Sequence, residues 1–218
     1  MMLIYTFIFG YIFKTREPNF AIFVFVGLTM WNFFANTVSK STKIVKSNKA
    51  IVSKVYLPKF IMIETELAVN FFKMLFSWAI IVGMLIVWQV KFSPMMFLTI
   101  PLFVVELIFT FGLSCIVLHF GVFVEDLANV VRIILRFVFY ATGIFYSLET
   151  RIESDALRNL LLHYNPMAFF VQSTRRCLIY HTLPEAKWLL IWTVISLLLC
   201  VIGVRLIYKY ENSYVKSI

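Results

Sequence analysis

Apolar runs of about 20 residues recur along this chain, and at 1.5 Å of rise per residue a helix of that length crosses a hydrocarbon core of roughly 30 Å. That feature excludes most soluble folds. With no water in the bilayer, a spanning segment must satisfy its own backbone N–H and C=O groups, and a helix does so within itself. A membrane β-barrel would show segments of about 10 residues with alternating polarity, and the chain does not carry them. Composition agrees: of 218 residues, 61% are hydrophobic and 14% charged, with a mean hydropathy of +0.89. An ordinary soluble domain carries about 25% charged residues. The fold class read from the sequence is all-α: one polytopic transmembrane domain of six spans, the first of them partial.

The runs fall at residues 1–13, 19–38, 67–88, 95–118, 133–148 and 188–208. The first is too short to cross alone and lacks the basic start and small-residue cleavage site of a signal peptide. It reads as the outer part of a span, closed by the polar break from Lys14 to Pro18. The third run begins beyond Glu64 and Glu66. Pro101, near the start of the fourth, is expected to bend it. Residues 149–187 carry mixed charge. Within them 167–180 is apolar at both ends but interrupted by Gln172, Arg175 and Arg176, with Pro166 before it and Pro184 after. A re-entrant or interfacial helix pair fits this stretch better than two further spans.

Residues 40–59, KSTKIVKSNKAIVSKVYLPK, hold six lysines and no acid between two apolar runs. On a helix at about 100° per residue, Ile44, Val45, Ile51, Val52, Val55 and Tyr56 share one arc, and Lys43, Lys46, Lys49 and Lys54 fall opposite. Pro58 stops the pattern, because it lacks the N–H and pushes the preceding residue out of helix. The expectation is a short amphipathic basic helix. Positive residues in short loops stay on the cytoplasmic side, which places this segment inside, as it does the link 119–131 with Arg132 and Arg136 just beyond. Both termini then come out cytoplasmic, if the first run spans. The segment is either a basic loop resting on anionic lipid or a lever on which a cytoplasmic partner pushes.

Enzyme chemistry lacks a constellation. No GxxxxGK[ST] loop, HExxH or GxSxG elbow occurs, and the three cysteines, Cys115, Cys177 and Cys200, form no CxxC. The net charge of +9 is concentrated beside the membrane, so it does not imply nucleic acid. The informative charges lie inside spans. Glu106 sits near the middle of the fourth, either as a pathway or gating residue or as a helix-packing hydrogen bond. Lys73 reads as a snorkelling residue, although Glu66, Asn70 and Lys73 share a helix face and could form a polar seam. Trp31, Phe33, Phe34, Phe139, Tyr140, Phe145 and Tyr146 either line a path for a sugar chain or form an interfacial aromatic belt.

Four stretches taken in order resemble the membrane subunit of type-2 ABC exporters, in particular permeases for lipid-linked polysaccharides such as O-antigen, teichoic acid and rhamnose-rich wall polymers. They are YTFIFGYIFK from Tyr5 with GLTMWNFF from Gly27; SNKAIVSKVYLPK from Ser47; VFVEDL from Val122 with GIFYS from Gly143; and YNPMAFFVQSTRRCLIY from Tyr164. Leu57-Pro58 stands where the family commonly has phenylalanine–proline, and Glu125-Asp126 where it often has arginine–aspartate, so only Asp126 matches there. Such permeases open with an amphipathic helix on the inner membrane surface and a full first span, whereas this chain opens within that span.

The resemblance implies a homodimer of six-span subunits in the bacterial cytoplasmic membrane, bound to two ABC ATPase subunits that hold the ATP and magnesium. This chain itself would need no cofactor or metal. The coupling contacts would be Ile44, Ile51, Val52, Val55, Tyr56 and Pro58 on the first link and Asp126 on the second. The outer segment 149–187 would close the pore, with Glu106, Trp31, Tyr140, Tyr146, Arg175 and Arg176 as pore or gate candidates. The competing expectations are an exporter of a small hydrophobic drug or lipid with the same fold, a membrane-embedded enzyme of lipid-linked sugars, and a non-transporting scaffold.

Overall fold

A computed structural model of the chain describes residues 19–52, 58–152 and 154–216. Among these residues there is no strand; the regular structure is helical. Among the described residues, four helical stretches are long and apolar enough to cross a membrane: Phe20–Ser41, Lys59–Val87, Pro94–Phe123 and Ala186–Glu211. They overlap the runs expected at 19–38, 67–88, 95–118 and 188–208. In chain order the α-helices are α1 Phe20–Ser41, α2 Ile44–Ser47, α3 Lys49–Val52, α4 Lys59–Val87, α5 Thr99–Phe123, α6 Leu127–Ala141, α7 Leu148–Arg151, α8 Asp155–Tyr164, α9 Pro166–Leu178 and α10 Ala186–Lys216, with a 3-10 turn at Pro94–Leu98 ahead of α5.

Helix α4 begins at Lys59, ahead of the membrane part read at 67–88; Glu64 and Glu66 are good helix formers, and hydropathy reports only the membrane part. One boundary differs from the sequence reading. The run expected at 133–148 is α6, Leu127–Ala141. It stops early because Gly143 takes φ +67°, a left-handed conformation that ends helices and suits glycine. The apolar residues Ile144 to Tyr146 continue the hydropathy signal past that stop. Pro101 falls in the first turn of α5, where a missing N–H costs little.

The chain divides into two compact units. One comprises Met1–Asn32, Met74–Phe103 and Arg136–Leu189. Its core includes α9, in which Met167 to Arg175, Cys177 and Leu178 are all buried. The start of α9 is written in its sequence: the Asn165 side chain accepts from the amides of Met167 at 3.1 Å and Ala168 at 3.4 Å, and Pro166 occupies the first helical position, where proline is preorganised. Helix α9 packs on α8 and on the Pro94–Leu98 turn.

The other unit comprises Phe33–Lys73, Val104–Leu135 and Leu190–Ile218. Its core joins Ile44, Val45 and Val52 to Met62 and Ile63 of α4, Cys115, Leu118 and Val122 of α5, and Ile207 and Tyr214 of α10. Helices α5 and α10 approach closely through glycines. A Cβ on Gly112 would lie 2.5 Å from the Cys200 amide nitrogen, and one on Gly203 would lie 2.8 Å from the Gly112 carbonyl. Small residues at a membrane helix crossing let backbones meet and pack.

Candidate functional site

The basic segment is not the single helix expected over 40–59. Lys40 still belongs to α1, and two four-residue turns, α2 and α3, follow on either side of Asn48. Side chains cause the breaks by taking carbonyls that a continuing helix would use. Thr42 Oγ1 donates to the Ser39 carbonyl at 2.7 Å, Ser47 Oγ to the Ile44 carbonyl at 3.2 Å, and Asn48 Nδ2 to the same Ile44 carbonyl at 2.8 Å. The two faces still separate as the sequence implies. Ile44, Val45 and Val52 are buried, while Lys43 and Lys49 are exposed and Lys46 half-buried. The apolar face is therefore spent on the chain's own core, and lysines form the face left outward. The Ile51 side chain, Val55 and Tyr56 lie outside the described residues.

Pro58 is half-buried ahead of α4, and its carbonyl accepts from the Ile61 amide at 3.1 Å. Lys59, the last lysine of the segment, turns inward: its Nζ lies 3.5 Å from Glu211 Oε1, with side chains 2% and 8% exposed. Asp126 is exposed just before α6, its carbonyl accepting from the amides of Asn129 and Val130. The polar seam on α4 is present in part. Asn70 Nδ2 donates to Thr37 Oγ1 at 3.1 Å and Glu66 Oε1 at 3.4 Å, and Lys40 pairs with Glu66. Lys73 is exposed.

Glu106 is wholly buried on α5, and among the described residues neither carboxylate oxygen has a hydrogen-bond partner. One turn on, Thr110 Oγ1 donates to the Glu106 carbonyl at 2.7 Å. Two turns on, Ser114 Oγ is buried without a partner as well. These residues form a polar row along a membrane-crossing helix, where a charge is costly. The aromatic candidates divide. Trp31, Phe33 and Phe34 are buried, Trp31 standing edge-on to Phe139 at 5.4 Å. Tyr146 is half-buried and donates to the Tyr140 carbonyl at 2.7 Å. The Tyr140 ring is 69% exposed, so it alone of these three aromatic gate candidates offers a stacking face.

Arg175 and Arg176 are adjacent and differ completely. Arg175 is 1% exposed. Its Nε donates to the Phe23 carbonyl at 3.1 Å, Nη1 to that of Gly143 at 2.9 Å and Nη2 to that of Ile144 at 2.8 Å. Its guanidinium carbon lies 3.4 Å from the Phe23 ring centroid. It thereby ties α1, the turn after α6 and α9 into one core, and favourably meets the negative end of α6. Arg176 instead faces two carboxylates, with Nε 3.0 Å from Glu149 and Nη1 3.1 Å from Glu185. Burial works against its charge, but the bonds and charges of Glu149 and Glu185 outweigh that and hold it above the ordinary arginine range. His163 completes the cluster, 3.0 Å from Glu185 Oε2 and stacked on Trp188. Sequence reasoning missed Glu149, His163 and Glu185. They stand 27, 13 and 9 residues from Arg176, and no local spacing announces them. Among the described residues no cluster of His, Cys, Asp and Glu could hold a metal.

No protein-family model matches the chain. Curated proteins do. The chain is 28% identical over 204 residues to the O-antigen export system permease protein RfbA of Myxococcus xanthus, covering 91% of this chain and 76% of that protein. It is 25% and 27% identical over 213 residues to two proteins of the same name from Klebsiella pneumoniae, covering 97% of this chain and 81% of each. Together with the membrane-length helices, a likeness that runs through nearly the whole chain supports a type-2 ABC exporter permease.

Proposed function

We propose that the chain is the permease subunit of an ATP-driven exporter that moves a lipid-linked polysaccharide across the cytoplasmic membrane. The observation that carries this reading is the likeness to O-antigen export permeases over 91–97% of the chain. In this reading two copies of the chain form the path, and two ABC ATPase subunits supply the hydrolysis. The basic segment and both termini face the cytoplasm.

The packing of the basic segment suggests how a stroke would enter. Ile44, Val45 and Val52 sit among side chains of α4, α5 and α10, and densely packed interiors transmit displacement with little compression. A push on Lys43 and Lys46 would then move the ends of three membrane helices together. The ATPase would meet a lysine face, so its docking rim is expected to be acidic. The test is co-purification of the ATPase with a variant carrying Lys43→Glu and Lys46→Glu. Reduced co-purification with normal membrane insertion supports the coupling role. Undiminished co-purification removes it.

A further inference from the structure

We propose that the groove between the end of α4, the Pro94–Leu98 turn and the end of α9 seats one acyl chain of a membrane phospholipid, with Lys91 meeting its phosphate. This goes beyond the reading above, which concerns what is exported and not which lipid the subunit retains.

The groove has a volume of about 260 Å³ and belongs to one of the two compact units. Its floor is closed: Leu85, Met96 and Leu178 line it and are buried. Its rim is open: Ile86 is 72% exposed, Phe92 79% and Phe97 64%. Thr99 also lines it, but its hydroxyl is spent, donating to the Met96 carbonyl at 2.7 Å. An apolar cavity of roughly 150 Å³ stays dry and already holds benzene. This groove therefore disfavours water and has room for a run of hydrocarbon.

The setting selects the occupant. Helix α4 is long and apolar enough to cross a membrane, and the groove lies at its end away from Lys59. With the basic segment in the cytoplasm, as proposed above, that end lies in the outer leaflet. The rim then opens onto lipid tails, which are long, thin and apolar. A void forfeits the dispersion contacts of the atoms that line it, and a tail drawn in from the bilayer restores them. Lys91 supplies the other half of the site. It stands between the lining residues Val90 and Phe92, is exposed, and makes no hydrogen bond or ion pair with the described residues. A lysine beside apolar surface lays its stem along it and keeps its ammonium at the headgroup level, where a phosphate accepts charge-assisted hydrogen bonds. The half-exposed Trp88 marks the same level, because tryptophan gathers at the membrane interface. A seated tail touches α4, the 3-10 turn and the last residue of α9 together, so the lipid braces this unit.

The test uses the full chain in phosphatidylcholine nanodiscs in which a small fraction of the lipid carries a photoactivatable diazirine on one acyl chain. Mass spectrometry maps the labelled residues. Labelling at Leu85, Met96 and Leu178 should be several times that at Leu198 and Val201, which are exposed on α10. Val82→Trp fills the groove from an exposed lining position. It should bring groove labelling down to the α10 level and leave α10 unchanged. Lys91→Gln should lower groove labelling by about two- to fivefold, the worth of one exposed ion pair. Both substitutions fall at exposed positions, and melting curves like the parent's confirm folding. A groove labelled no more than α10 in the parent would point to a protein segment as its occupant and overturn the proposal. So would labelling that survives Val82→Trp, or that Lys91→Gln leaves unchanged. No ATPase or glycan enters the measurement, so this site and the export function can fail separately.

Discussion

Residues 40–52 and helix α9 look alike as sequence. Each is a short stretch of mixed apolar and basic residues, and each is too polar to cross a membrane. They fold in opposite senses. In the first, the apolar side chains go inward, the lysines outward, and the helix breaks at Asn48. In the second, the helix is unbroken and Arg175 is among its most buried residues. The difference lies in side-chain chemistry. A guanidinium offers five donors in a planar fork and can satisfy several carbonyls at once, whereas an ammonium is a strongly hydrated point charge. Asparagine and serine inside the first stretch compete for backbone carbonyls. Asparagine at the entry of α9 caps it.

The contrast is most strongly tested at Arg175. Replacing it with methionine would leave the carbonyls of Gly143 and Ile144 without their guanidinium donor, at on the order of 1–3 kcal/mol for each buried group left unsatisfied. Little folded protein should be recovered by gel filtration, and a variant that melts like the parent would refute the anchoring role. Next in size is Lys59→Met, which removes the ammonium beside the buried Glu211 carboxylate and should cost about 3 kcal/mol in thermal unfolding. Adding Glu211→Leu should recover most of that loss. A double variant no better than the single one would show that the pair is not the reason.

Asn165→Ala should cost about 1 kcal/mol, as loss of an N-cap does. It should also speed proteolysis after Asn165 without affecting residues 40–52. The smallest expected effect is at Cys177, which is buried on α9 with its thiol pushed up to about 11 by that burial. Below that pH the neutral thiol dominates, so maleimide labelling should be negligible at pH 7.5 and rise only as the pH nears 11. Rapid labelling near neutral pH would show that α9 is not the closed core described.

The crossing helices were legible in the sequence because hydropathy adds up over about 20 residues, and no single side chain decides it. The burial of Ile44, Val45 and Val52 was legible for a similar reason, since a 3.6-residue period survives a local break. Helix ends were not legible. Gly143 stops α6 inside an apolar run, and Asn48 stops α2 through one hydrogen bond. The partners of Arg175 were out of reach as well, because Phe23 lies 152 residues away in the chain. The place of Glu106 within an apolar run was legible, but that its carboxylate has no bonded neighbour among the described residues is a property of packing alone.

The claim that this chain exports a polysaccharide is tested most directly by removing its gene and measuring glycan at the cell surface and inside the cell. The account predicts that surface glycan disappears while lipid-linked glycan accumulates in the cytoplasmic membrane, with recovery when the chain is supplied again. Surface glycan at the parental level in the deletion strain would contradict it.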